Sequence, residues 1–271
     1  MNSILTKLNR RIDYFRRTRA LAHAKKAGSP VELGEISRDQ WSASLSDPTT
    51  FYLRCFRLFH SNFPKRLTDH RAYFTQNLRG FGEDAFHVMW YLLYQEFKFS
   101  SFLEIGVYRG QVLSFISLLQ HAGGEPGYLC GISPFLPAGD SVSTYTDEID
   151  YLTDTRVNFQ AFDLPEPDLL KAYSTDPAAI ERIASRSWDC IYIDGCHDYE
   201  VAVEDWRHCA QAVKRGGLIV LDDAGRETRY SAPPFAFAGH PGPSRIAGEI
   251  DRSEFEEILQ VGHNRVFQKR L

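Results

Sequence analysis

Three stretches of the chain place polar residues at the ends of short apolar runs, where backbone turns could present them to a ligand. The first is Phe102-Leu103-Glu104-Ile105-Gly106-Val107-Tyr108-Arg109-Gly110. It reads as a strand ending in Glu104-x-Gly106-x-x-x-Gly110, followed by a helix. Glycine permits close backbone approach, and a helix N-terminus attracts negative groups such as a carboxylate. The spacing is not the G-x-G-x-x-G that seats a pyrophosphate, since Val107 and Tyr108 stand where that pattern is tightest. The acidic strand end suits a ligand with an ammonium group.

The second stretch runs from Trp188 to Tyr199, a strand ending in Asp194 and a turn carrying His197. The third is Lys214-Arg215-Gly216-Gly217 followed by Leu218 to Leu221 and then Asp222-Asp223. In a parallel sheet the C-terminal strand ends share one edge, where ligands bind. Asp194, Asp222 and Asp223 should therefore converge. Cys196 reads as a small filler, Asp205 as a structural helix residue and His263 as a turn residue.

These motifs need a scaffold that lines up strand ends. Apolar runs suited to buried strands are Phe102–Ile105, Tyr128–Ile132, Val157–Phe162, Cys190–Ile193 and Leu218–Leu221, with helical stretches near 110–121, 166–185 and 199–213. That alternation predicts a parallel α/β sheet covered on both faces. Glu256–Val261 and Arg265–Lys269 flank Gly262-His263-Asn264 and predict a terminal antiparallel hairpin. Earlier in the chain, residues 4–27 predict a basic amphipathic helix with Ile4, Leu8, Ile12 and Phe15 on one stripe. A short helix near Phe51–Phe59, a loop after Pro64 and a helix over Glu83–Phe97 follow.

The motif set resembles class I S-adenosylmethionine-dependent methyltransferases of the methyltransferase-24 group, and the macrocin-type O-methyltransferases that act on sugars of natural products. The matching pieces are Glu104-x-Gly106-x-x-x-Gly110, Ile193-Asp194-Gly195-x-His197-x-Tyr199, Lys214 to Gly217, Asp222-Asp223 and the closing Gly262 to Val266. The resemblance covers about residues 80–271, as a Rossmann-like methyltransferase domain, and leaves 1–79 as a helical extension with a role in oligomers, the acceptor or a membrane surface. It implies S-adenosylmethionine contacts from Glu104, Gly106, Tyr108, Gly110, Ser133, Asp194 and Asp163, the last closing the third strand against the adenine amino group. It also implies a divalent cation, magnesium, on Asp194, Asp222 and Asp223, with His197 as base and Asp194 beside it in catalysis. Ser133 departs from the family, which has an acidic ribose contact there; Asp140 is a substitute from the following loop.

The implied reaction moves a methyl group to a hydroxyl of a sugar, glycan or glycosylated natural product. Two alternatives stay open: a metal-independent small-molecule methyltransferase using His197 alone, and a binding protein that keeps the fold without turnover. A net charge of −4 argues against a nucleic-acid partner. Five cysteines without a C-x-x-C pair fit a reducing cytosol. No apolar run approaches the roughly 20 residues of a membrane span. The basic helix 1–27 suits packing in a homo-oligomer, with peripheral contact at an inner membrane surface as its rival.

Overall fold

The computed structural model describes residues 15–27, 29–137, 140–142, 145 and 148–271. Seven strands form one sheet: β1 (Ser101–Ile105), β2 (Tyr128–Ser133), β3 (Asp168–Lys171), β4 (Trp188–Ile193), β5 (Val213–Leu221), β6 (Phe255–Val261) and β7 (Asn264–Lys269). Their order is β3-β2-β1-β4-β5-β7-β6. β1 to β5 pair in parallel, and β7 runs antiparallel between β5 and β6. The Rossmann-like sheet and its terminal hairpin are as the sequence predicts. The chain winds outward through β1, β2 and β3, then returns to place β4 beside β1. That reversal opens a crevice at the C-terminal ends of β1 and β4.

Helices cover both faces. Before the sheet come α1 (residues 15–26), α2 (Ala43–Ser46), α3 (Pro48–Ser61), α4 (Lys65–Thr75) and α5 (Asp84–Phe97). Within it lie α6 (Gln111–Ala122), α7 (Tyr151–Gln160), α8 (Pro177–Ala184), α9 (Tyr199–Ala212) and α10 (Pro241–Glu249). One apolar cluster packs α3, α5, α6 and α7 on one face of the sheet, and a second packs α8, α9 and α10 on the other.

The third strand is a correction. Residues 157–162 were expected to form it, but they fall in α7 and the turn after it. Asp150 caps that helix by accepting from the Thr153 N–H at 3.1 Å. Its buried residues are Tyr151, Thr155, Asn158 and Phe159, a helical period, whereas Val157 is exposed. The apolar density of 157–162 mimicked a strand because exposed and buried apolar side chains alternate there. The real β3 is a four-residue edge strand, Asp-Leu-Leu-Lys, cut from the stretch expected to be helical, of which α8 is the remainder. The loop expected after Pro64 is also helix: Pro64 precedes α4, which buries Leu67, His70 and Phe74.

Residues before the 79/80 boundary share a core with those after it. Trp41, Tyr52, Cys55 and Phe56 are buried in the same cluster as Leu259, Val261 and Val266 of the hairpin. The Ser44 hydroxyl accepts from the Gln260 N–H at 2.9 Å, tying α2 to β6. Ile4, Leu8 and Ile12 of the expected stripe lie outside the described residues. Phe15 is exposed, while Leu21 and Ala24 of α1 pack against the core. No helix among the described residues is long and apolar enough to cross a membrane.

Candidate active site

Glu104 ends its strand pointing inward and is buried. Its Oε2 accepts from the Leu113 N–H, in the first turn of α6, at 3.1 Å. Burial pushes its carboxyl up to about 8; that hydrogen bond opposes the rise, and the nearby Asp222 adds to it. Gly106 adopts φ +95°, and a Cβ there would sit 1.9 Å from the Asp194 carbonyl oxygen. The glycine lets the turn after β1 pass against the turn after β4. The close approach expected of this glycine is thus to backbone of the β4 turn, where a side chain would clash before it reached a ligand. Gly110 is a correction. It lies off the cavity wall, at φ +79°, and its Cβ would meet Thr155 Cγ2 at 2.8 Å, so it serves the packing of α6 on α7.

A cavity of about 680 Å³ opens where the sheet reverses. Glu104, Gly106 and Tyr108 line it after β1, Ser133 after β2, and Asp194 and His197 after β4. The Tyr108 ring packs 4.7 Å from Phe81 and 5.3 Å from Tyr151. Asp163 does not reach the cavity wall. It sits in the turn after α7 at φ +54°, because the segment before it is helix. The loop after the true β3 brings Tyr173, Ser174 and Thr175 to the wall instead. Asp140 also lines the cavity, where its Oδ2 accepts from the His197 N–H at 2.7 Å and lies 2.5 Å from His197 Nδ1.

The strand ends bring the acidic residues together as the parallel sheet requires. The Asp194 N–H donates to Ile105 O at 2.8 Å, and the Asp222 N–H to Ile193 O at 3.0 Å, so β1, β4 and β5 are laced beyond their last paired residues. Burial first, then Asp222, Asp223 and Glu104, hold the Asp194 carboxyl well above the usual carboxylate range. Asp223 goes the other way. Burial would raise it, but His197 and His263 outweigh burial and hold it well below that range. Its Oδ2 lies 2.9 Å from His197 Nε2 and 3.6 Å from His240 Nε2, and its Oδ1 lies 3.0 Å from His263 Nδ1. His197 is drawn down by burial, yet Asp223 and Asp140 prevail and raise it to about 8.

Several site residues escaped the sequence reading. His263 is a buried member of the site, not merely a turn residue: its Nδ1 is 3.1 Å from Asp222 Oδ1, and Nε2 faces Glu83 Oε1 at 3.8 Å. Burial opposes its charge, but Asp222, Asp223 and Glu83 hold its pKa well above the ordinary histidine value. The signal was present in the hairpin. Once β7 is antiparallel to β5, the turn at Gly262-His263 must fall at the edge that carries Asp222. His240 and Glu83 gave no such signal, because loops alone bring them to the cavity. Cys196 lines the cavity, and burial pushes its thiol up to about 11.

Residues 103–224 match the family model described as a methyltransferase domain. That central part of the chain is similar to a methyltransferase domain. The match begins inside β1 and ends just past β5, so it contains Glu104, Gly106, Asp194, His197, Asp222 and Asp223. No curated protein matches the chain in sequence. The fold is similar to that of a Podospora anserina methyltransferase solved with S-adenosylhomocysteine bound, at TM-score 0.54 and 13% identity, over 90% of this chain and 100% of that one. It is also similar to a Bacillus cereus O-methyltransferase in complex with S-adenosylhomocysteine, at TM-score 0.53 and 14% identity, over 86% and 100% of the two chains. A Geobacter sulfurreducens methyltransferase aligns at TM-score 0.50 and 12% identity, over 78% and 91%.

Proposed function

We propose that the protein transfers a methyl group from S-adenosylmethionine to a hydroxyl oxygen of a sugar, glycan or glycosylated natural product. The observation that carries this reading is the crowding of Glu104, Asp194 and Asp222 at one cavity wall. Like charges in a buried site raise one another's pKa, and a cationic ligand relieves them. S-adenosylmethionine brings an ammonium and a sulfonium, so the donor set fits it. Glu104 and Asp194 would hold the ammonium end. Tyr108, Ser133 and Tyr173 to Thr175 would flank the nucleoside.

His197 would take the acceptor's proton at Nε2 in its neutral form, which prevails above its pKa of about 8. Asp140 fixes the ring through Nδ1, the arrangement that orients a general base. Phe237, 5.0 Å from the His240 ring, and Phe86, 4.7 Å from the His263 ring, supply flat apolar walls, which suits a ring acceptor with a few polar groups. A divalent cation, magnesium in the expectation from carboxylates alone, would supply Lewis-acid lowering of the hydroxyl pKa. The residues fit a cation in part. Asp222 and Asp223 converge with His263 within ligand spacing, whereas Asp194 belongs to no such group among the described residues. The free cysteines support a reducing compartment.

Calorimetry with S-adenosylhomocysteine tests the reading. Saturable micromolar binding that weakens at least tenfold in Glu104→Gln is the expected result. Folded protein that takes up no ligand at millimolar concentration would overturn it.

A further inference from the structure

We propose that the divalent ion of this site is held by Asp222, Asp223 and His263, a mixed nitrogen–oxygen set that selects a first-row transition ion or zinc over magnesium. The inference rests on the reading above for its place in catalysis, though not for the binding itself. Three atoms define the site: Asp222 Oδ1, Asp223 Oδ1 and His263 Nδ1. The nitrogen lies 3.1 Å from the first and 3.0 Å from the second. Metal–ligand bonds of about 2.1 Å at right angles place neighbouring donors about 3.0 Å apart. Both edges that meet at the nitrogen have the spacing of neighbouring octahedral ligands.

Alignment points the same way. His263 is 6% exposed, yet neither its Nδ1 nor Asp222 Oδ1 completes a hydrogen bond despite the short distances. The ring nitrogen is close to both carboxylates and aligned with neither. Its other nitrogen faces Glu83, whose Oε1 is fixed by the Phe237 N–H at 2.9 Å. A ligating histidine commonly presents its second nitrogen to a carboxylate in this way. The rival group, His197, Asp223 and His240, is looser. His240 stands 3.6 Å from Asp223, and His197 is bound through Nδ1 to Asp140. An imidazole ligand suits zinc, iron, cobalt or copper, whereas magnesium favours oxygen and water.

The test uses the full chain, stripped of metal. Calorimetry should show Co²⁺ binding at least tenfold tighter than Mg²⁺, and pulsed EPR of the Cu²⁺-loaded protein should show imidazole nitrogen. His263→Gln should erase that signal and weaken Co²⁺ at least 100-fold. Glu83→Gln should keep the signal and weaken Co²⁺ about 10–100-fold, which covers the case in which His263→Gln fails to fold. Equal affinity for Mg²⁺ and Co²⁺, no binding of either at millimolar concentration, or an imidazole signal that survives in folded His263→Gln would overturn the proposal. S-adenosylhomocysteine titrations of the same metal-free protein separate the two readings. Binding there with no metal site sinks only this proposal, and a metal spectrum without S-adenosylhomocysteine binding sinks only the methyl-donor reading.

Discussion

At the scale of single residues, Asp223 organises the site. One carboxylate faces three imidazoles, and its left-handed φ of +54° turns the chain so that both oxygens are used. In the proposed reaction His197 is the proton acceptor among the three, so His197→Ala should lower kcat by about 10²–10⁴-fold. Calorimetry on the same variant should find S-adenosylhomocysteine affinity changed less than threefold. Unchanged turnover would remove the assignment. Gly106→Ala tests a different cause. The added methyl meets backbone at 1.9 Å in a left-handed conformation, so the variant should lose about 2–5 kcal/mol of stability from overpacking and strain together. Urea unfolding measures this. A variant as stable as the parent but blind to ligand would show that the added methyl meets ligand space instead. Asp194, Asp222, Asp223 and His197 could be placed from sequence because each follows an apolar run whose end is fixed by the sheet. Asp163 could not, because its position depended on a strand that is helix.

At the scale of elements, the legible parts are those with one period and clear stops. β1, β4 and the hairpin qualify, α5 begins one residue from where its pattern predicts, and β5 ends at Leu221 as expected but starts at Val213 rather than Leu218. β3 fails because four residues at a sheet edge carry no alternation, and α7 fails because Val157 and Phe162 blur its buried face. α4 was hidden by its charge, yet it holds a test of its own. His70 on α4 lies 2.9 Å from Ser114 Oγ on α6 and 3.2 Å from His87 Nε2 on α5. Burial pulls His70 down to about 3, so it is neutral in the fold. Unfolded, it titrates near 6.5. Between these values the unfolded chain binds the extra proton, so the stability His70 allows is complete above pH 6.5 and declines as pH falls toward 3. The slope is at most about 1.4 kcal/mol per pH unit for one such histidine. His70→Asn should flatten the decline between pH 6 and 4 by that order, read from urea midpoints at each pH. An unchanged slope would mean that the pair does not stay neutral.

For the whole molecule, the extension is part of the catalytic body. Its aromatic residues Trp41, Tyr52 and Phe56 share the core of the hairpin. Removing residues 1–79 should therefore leave chain that does not fold. Circular dichroism and gel filtration of the truncated protein check this, and a folded fragment that binds S-adenosylhomocysteine would show that the extension is dispensable. None of this packing was legible, because aromatic residues without a recognised motif say only that they are buried.

The two ends of the cavity come from different parts of the chain. In the proposed reaction the turns after β1, β2 and β4 make the donor end, while the start of α5, the segment around Phe237 and the tip of the β6–β7 hairpin make the other. On the proposed reading substrate choice can diverge by descent with little effect on the methyl donor, since the two ends draw on separate loops. A chimera that takes residues 230–240 from a different methyltransferase should keep S-adenosylhomocysteine affinity while exchanging which acceptor it turns over. Calorimetry and a panel of acceptors would reveal whether this inheritance is as separable as the wall of the cavity makes it.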